Sequence, residues 1–297
     1  MKKIWNVPKW MILSILLAYG GLVLGKIISF FGTAFLLLIY GTFGDAIFLP
    51  SYMGVITENL SFLGIILLVA IVLKKTDKNK LRKQSSVKKW NLRYLSGVFI
   101  CLIMIVGLLA ILLITHTIKL GTEINLKPIG MLFILISFMI QAYAEEYLFR
   151  GLIQSKLEQK NGIIVSIICT NIMFALLHAM NPGISIISVL NIILFGVLLS
   201  LITWETGNVT VASGIHMGWN FCNEMVLGLP NSGLVCKDAI FASQVKKESI
   251  WFNKIHGAEG GIALTIILVC MFGIVAILRT KKPKTKKLNH VYRVIED

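Results

Sequence analysis

An all-helical bundle that crosses a membrane many times is the fold class this sequence predicts, and three observations predict it. The 297-residue chain is 56% hydrophobic and only 14% charged, and its mean hydropathy is +0.81, more apolar surface than a water-soluble domain could bury. The apolar residues fall in runs of about 20, the length that spans a ~30 Å hydrocarbon core at ~1.5 Å per residue. The 29 Lys and Arg residues cluster between and after those runs rather than on them.

Eight runs qualify, at approximately 10–35, 53–73, 95–115, 129–156, 162–180, 184–202, 209–229 and 260–279. Met1-Lys2-Lys3 ahead of the first resembles the start of a secretory signal. No small-residue cleavage site closes a short apolar region, so an uncleaved anchor is expected. The stretch from 10 to 50 could be cut into two spans at Lys26, and charge decides against it. Short loops rich in Lys and Arg stay cytoplasmic, and the most basic loop, 74–93, carries Lys74, Lys75, Lys78, Lys80, Arg82, Lys83, Lys88, Lys89 and Arg93. With Lys2, Lys3 and Lys9 also inside, an even number of spans must precede that loop. The tail from Arg279 through Lys287 to Arg293 then falls inside as well. Both termini are expected in the cytoplasm.

The net charge of +15 is thus the mark of topology, together with attraction to anionic headgroups, and no nucleic-acid partner is implied. Three sequence regions are expected: N-terminal spans with the basic loop (1–94), a core of membrane helices (95–280), and a basic tail (281–297). The five cysteines show no CxxC or other metal-ligand spacing, so they are read as small packing residues rather than disulfides.

Ionisable side chains inside membrane helices are costly and mark function unless they are paired. Three groups stand out: Glu145, Glu146 and Arg150 in QAYAEEYLFRG; His178 in NIMFALLHAMN; and His216, Asn220 and Glu224 in GIHMGWNFCNE. On a helix Glu146 and Arg150 share a face as an ion pair, while Glu145 lies ~100° around and needs another partner. His216 and Asn220, four apart, present two side chains that can hold a developing oxyanion. Glu224 extends that face by a turn and is read as structural or substrate-lining. A carboxylate beside an imidazole can take a proton from water, so hydrolysis is the chemistry this inventory permits. Two histidines and a carboxylate also match a catalytic zinc set. HExxH is absent, and the sequence leaves both mechanisms open. A proton-coupled transporter and a non-catalytic scaffold or immunity protein are the alternatives.

Glu145-Glu146-Tyr147-Leu148-Phe149-Arg150, Phe174-Ala175-Leu176-Leu177-His178 and His216-Met217-Gly218-Trp219-Asn220 read as EExxxR, FxxxH and HxxxN in order. In this the chain resembles the family of type II CAAX prenyl proteases and bacteriocin-processing or self-immunity membrane proteases (CPBP or Abi). Gly257-Ala258-Glu259-Gly260-Gly261 is similar to a Gly-rich stretch that bacterial members carry before their last helix. The resemblance implies an intramembrane endopeptidase in which Glu145 and His178 activate water and His216 and Asn220 stabilise the oxyanion. Glu146, Arg150 and Phe174 support the site. Members are described both as metalloproteases, for which Glu145, His178 and His216 would ligate zinc, and as glutamate proteases without metal, the mechanism favoured here. The implied substrate is a hydrophobic or lipidated peptide or protein in the cell membrane of a bacterium, such as a pheromone or bacteriocin precursor. Counted along straight helices, Glu145, His216 and His178 fall at different depths, ~16, ~10 and ~24 Å from the inner ends. A common site therefore requires tilted, broken or shifted helices, and access from the cytoplasmic side is expected.

Overall fold

A computed structural model describes residues 7–43, 50–76, 90–122, 124, 127–236 and 238–280. Lys2, Lys3, most of the basic loop and the tail beyond Thr280 lie outside the described residues. The helices in order are α1 (Val7–Phe43), α2 (Pro50–Leu60), α3 (Leu63–Thr76), α4 (Trp90–Ile114), α5 (Pro128–Glu146), α6 (Ser155–Asn161), α7 (Ile163–His178), α8 (Ile186–Thr206), α9 (Thr210–Phe221) and α10 (Ile262–Thr280). A π-helical stretch, Tyr147–Gln154, joins α5 to α6 without a break, and a second, Cys222–Val226, continues α9. Among the described residues six spans are long and apolar enough to cross a membrane: Val7–Thr42, Tyr52–Thr76, Asn91–Ile114, Pro128–Asn161, Ile186–Thr206 and Ile262–Thr280. Of the other two runs the sequence predicts as spans, α7 (Ile163–His178) is apolar but shorter than a span, and α9 has only 12 residues.

The stretch that charge parity leaves as one span is one helix, α1, longer than expected because nothing between Val7 and Phe43 breaks it. The second span is interrupted at Ser61–Phe62, between α2 and α3. Here α1 crosses so closely that a Cβ on Gly25 would lie 1.5 Å from the Ser61 carbonyl oxygen, and one on Gly64 would lie 2.0 Å from the Gly21 carbonyl oxygen. Small residues let helix backbones approach where lipid gives no hydrophobic drive for association. The same device joins α4 to α9: a Cβ on Gly97 would meet the Val211 carbonyl oxygen at 2.2 Å, and one on Gly214 the Tyr94 carbonyl oxygen at 2.3 Å.

Pairings between helices fix which ends lie together. Asn59 bonds Ser137, Gln154 bonds the Ser200 carbonyl, and Arg279 bonds Glu205. One end of the bundle therefore gathers Val7, Thr76, the start of α4 and the α6–α7 turn at Gly162. The other gathers the segments 115–127 and 227–261. There β1 (Ile118–Lys119) pairs antiparallel with β2 (Gln244–Val245), Ile118 opposite Val245.

The polarity of the bundle is inverted relative to a soluble protein. Phe30, Phe31, Leu38, Phe99, Val106 and Ile164 are exposed, whereas Glu146, Arg150, Asn171 and Asn191 are buried. With lipid outside, polar groups must find their partners inside.

Overpacking a close contact costs about 1–3 kcal/mol. Gly214→Val is therefore expected to lower the melting temperature of the detergent-solubilised protein by roughly 5 °C, at about 2–4 °C per kcal/mol for a chain of this size. Gly273→Ala, where an added Cβ meets nothing within 4 Å, should leave the melt unchanged in the same thermal-shift measurement.

Candidate active site

Three features of the fold bring Glu145, His178 and His216 to one level. The helix carrying Glu145 runs on through the π stretch to Asn161 and turns at Gly162 into α7, further than the expected limit of 156. Glu146 lies 16 residues before that turn and His178 16 residues after it, and the two arms meet between them through Arg150–Asn171 and Phe149–Phe174. The turn into α9 is itself buried, with Asn208, Val209 and Thr210 at 4%, 1% and 1% exposure. The short helix bearing His216 thus starts inside the protein. Asn208, one residue before the N-cap Val209, accepts from the Thr210 amide at 2.7 Å, which satisfies one of the donors a helix start leaves open.

Glu146 is the hub. Its Oε1 accepts from Arg150 Nη1 at 2.9 Å and lies 2.9 Å from His216 Nδ1, so Nδ1 carries the proton of that bond. Arg150 is wholly enclosed: Nη2 donates to Asn171 Oδ1 at 3.0 Å and to the Gly196 carbonyl at 3.2 Å, and the guanidinium lies 4.6 Å from the centre of the Phe174 ring. A π-helical turn widens the backbone, and such turns concentrate at functional sites. Here it follows Glu146 directly, and Ser155 Oγ donates to the Arg150 carbonyl at 3.1 Å.

Glu145, on the adjacent face, takes a hydrogen bond from Gln141 Nε2 at 2.7 Å. Its other oxygen, Oε2, is buried without a hydrogen-bond partner and sits 3.8 Å from His216 Nε2. Gln141 is a residue the sequence reading missed. It also accepts from Asn220 Nδ2 at 3.0 Å, so one amide orients both the carboxylate and the Asn220 amide. The signal was its position four residues before Glu145, one turn away on the same face. His216 and Asn220 do share a direction, but each is already held by the Glu145 helix.

His178 closes α7. Its Nδ1 lies 2.8 Å from the Phe174 carbonyl, and a carbonyl only accepts, so Nδ1–H donates. In the neutral ring Nε2 is then left with its lone pair. Its ring is 4.5 Å from that of Phe174, which lies 6.2 Å from the His216 ring. Phe174 thus spaces the two histidines.

A cavity of about 360 Å³ is lined by Glu145, His178, His216 and Asn220. Its wall also takes in α1, α2 and α3, through Tyr19, Glu58 and Ile65, and the 227–261 segment, through Asn231, Ser232, Val235 and Glu259. The 227–261 residues belong to the end of the bundle opposite the basic loop. The straight-helix depth count omitted α6 and the buried start of α9, which carry Glu145 and His216 further from the basic end than it gave.

Glu259 explains the glycine-rich stretch that precedes α10. Gly257 has φ +98°, and a Cβ there would fall 1.9 Å from the Pro230 carbonyl oxygen. Asn191, buried on α8, donates to the carbonyls of Glu259 and Gly261 at 2.8 and 2.9 Å. The Glu259 carboxylate accepts from Ser232 Oγ at 2.6 Å and pairs with His256 Nε2 at 3.3 Å, while His256 Nδ1 lies 3.0 Å from the Pro182 carbonyl. Burial alone would lower the His256 pKa, but the Glu259 carboxylate and the Pro182 carbonyl raise it above the ordinary histidine value. Burial would raise Glu259, but His256, Ser232 and the nearby His178 hold it below the ordinary carboxylate value.

Among the described residues no three His, Cys, Asp or Glu side chains are gathered to share a metal ion. Glu145, His178 and His216, as placed among the described residues, are not such a set.

Residues 127–222 match the family model described as type II CAAX prenyl endopeptidase, Rce1-like. That stretch contains the three motifs and carries α5 through α9, so the resemblance read from those motifs is shown over it. No curated protein and no solved structure matches the chain.

Two outcomes test the geometry. Arg150→Met strands a buried carboxylate at a cost of about 3–5 kcal/mol, read as loss of monodisperse protein on fluorescence-detected gel filtration; adding Glu146→Gln should recover part of it. The Glu259–His256 pair is complete only between the lowered Glu259 pKa and the raised His256 pKa. Its stabilisation is lost as pH falls through the first and as pH rises through the second. Limited proteolysis of the 227–261 segment should therefore be slowest near neutral pH and speed up on both sides, and His256→Gln should remove the alkaline limb.

Proposed function

We propose that this chain is an intramembrane endopeptidase of the type II CAAX kind, hydrolysing a peptide bond of a membrane-associated substrate with a water molecule activated by Glu145 and His178. The matched family is one of proteases. The observation that carries the reading is the position of Glu145 on the cavity wall with His178 and His216, its Oε2 without a hydrogen-bond partner and 3.8 Å from His216 Nε2, whereas Glu146, whose Oε2 is likewise unbonded, is not part of that wall.

A carboxylate oriented through one oxygen by Gln141 has its other oxygen available to take a proton. Water held between Glu145 Oε2 and His178 Nε2 loses that proton as its oxygen attacks the substrate carbonyl carbon. The carbonyl oxygen becomes an anion, for which Asn220 has a second amide hydrogen free and His216 has Nε2. Because His216 Nδ1–H is committed to Glu146, donation from Nε2 uses the doubly protonated ring, beside which Glu145 and Glu146 both stand. When the C–N bond breaks, the proton held by Glu145 passes to the departing amine. The lining of the cavity by phenylalanines 138, 149, 174 and 195 suits a hydrophobic chain lying in it. The basic loop and tail set the termini in the cytoplasm of a bacterial cell by the charge rule. A precursor of a secreted peptide or a toxic peptide is the substrate this reading favours. The region from 95 to 280 is the proposed protease core.

Purified protein in detergent should cleave a quenched fluorescent hydrophobic peptide. Glu145→Gln and His178→Ala should each lower kcat by at least ~10², the contribution of a positioned base, and Asn220→Ala by about 10²–10³, that of one oxyanion donor. Each variant should keep its melting temperature, and cleavage should survive a chelator. Substrate uptake into vesicles without cleavage would sink the reading and favour a transporter.

A further inference from the structure

The cavity has a charged wall that the proposed chemistry does not use. Glu224 lies in the π stretch after α9, two turns beyond His216 and one beyond Asn220 on the same face. It is 4% exposed and lines the cavity together with Glu58 of α2. Glu58, exposed where Glu224 is buried, thus faces the same cavity. No side-chain hydrogen bond or ion pair reaches Glu224 from any described residue, and neither Lys nor Arg is among the described residues that line the cavity. Elsewhere in the interior, acids are neutralised: Glu146 by Arg150 and His216, Glu259 by His256. A carboxylate more than nine-tenths buried in a membrane bundle without a partner is costly. A second carboxylate beside it raises that cost.

We infer that Glu58 and Glu224 form a subsite for a Lys or Arg side chain of the substrate. This inference rests on the endopeptidase reading and specifies its substrate class: a hydrophobic peptide bearing a basic residue close to the cleaved bond. The separation sets how close. Eight residues along a helix are ~12 Å, and an extended peptide advances ~3.3–3.6 Å per residue, so the basic residue lies within about three residues of the scissile bond. A bound ammonium or guanidinium would supply the cation that the chain itself does not place there, through charge-assisted hydrogen bonds. It would also favour basic peptides at the end of the bundle away from the chain's own basic loop.

The test uses full-length protein in neutral detergent and paired fluorescent peptides that differ only in Lys against norleucine, at each of three positions on either side of the cleaved bond. Binding is read by anisotropy on the Glu145→Gln protein, and kcat/KM on the wild type. At one or more positions the Lys peptide should bind at least ~10-fold more tightly, as expected for a hydrogen-bonded charge pair, and be cleaved with a similar preference. Adding Glu224→Gln should bring the Lys/norleucine ratio to about one, and Glu58→Gln should lower it, with unchanged melting temperatures. Equal binding of both peptides at every position, or a preference that survives both substitutions, overturns the subsite. If wild type binds Lys peptides preferentially but cuts none, the endopeptidase reading fails and the subsite stands. If it cuts both equally, the subsite fails and the reading stands.

Discussion

Everything in the site hangs on a buried carboxylate that has to be neutralised far from water. Glu146 has no exposure, and an isolated ion at such depth would be prohibitive. Arg150, one turn on, supplies the charge, and His216 from α9 supplies a second donor. Arg150 in turn draws in Asn171 from α7 and the Gly196 carbonyl from α8. One ion pair thus ties four membrane helices together, and its directional bonds fix their rotation where van der Waals packing between apolar helices would tolerate several.

Glu145 is placed by that network without belonging to it. The helix rotates ~100° per residue, so clamping Glu146 toward His216 and Arg150 turns Glu145 toward the cavity, where Gln141 holds one oxygen and leaves the other open. Both carboxylates keep one buried oxygen without a hydrogen-bond partner; what separates them is that Glu146 is tied to a cation and shut away from the cavity, whereas Glu145 lines it. The phenylalanine of the second motif has a comparable double duty: its ring meets the Arg150 guanidinium, and its carbonyl sets the tautomer of His178.

The helical membrane class and the six long spans were legible because both follow from composition and run length, properties each segment carries alone; run length could not show that the segments at 162–180 and 209–229 form helices too short to cross by that measure. The Glu146–Arg150 pair was legible for a similar reason, since residues four apart on a helix must be neighbours. Gln141 was overlooked although it obeys the same rule, because an amide in an apolar helix draws less notice than a charge. Asn191 and Glu259 could not be paired from the sequence: they meet across 68 residues through a backbone carbonyl, and no local pattern encodes that.

By itself the sequence determined the helical membrane class and singled out the ionisable residues that are costly to bury in lipid, because composition and run length are properties each segment carries alone. Only the tertiary structure decided where they converge. The length of the Tyr147–Asn161 continuation, the buried start of α9 and the fold-back of residues 227–261 set the depth of the cavity and the end of the bundle that walls it. Those are consequences of packing between segments distant in the chain, and a helix-by-helix reading assigns each segment a depth without knowing its neighbours.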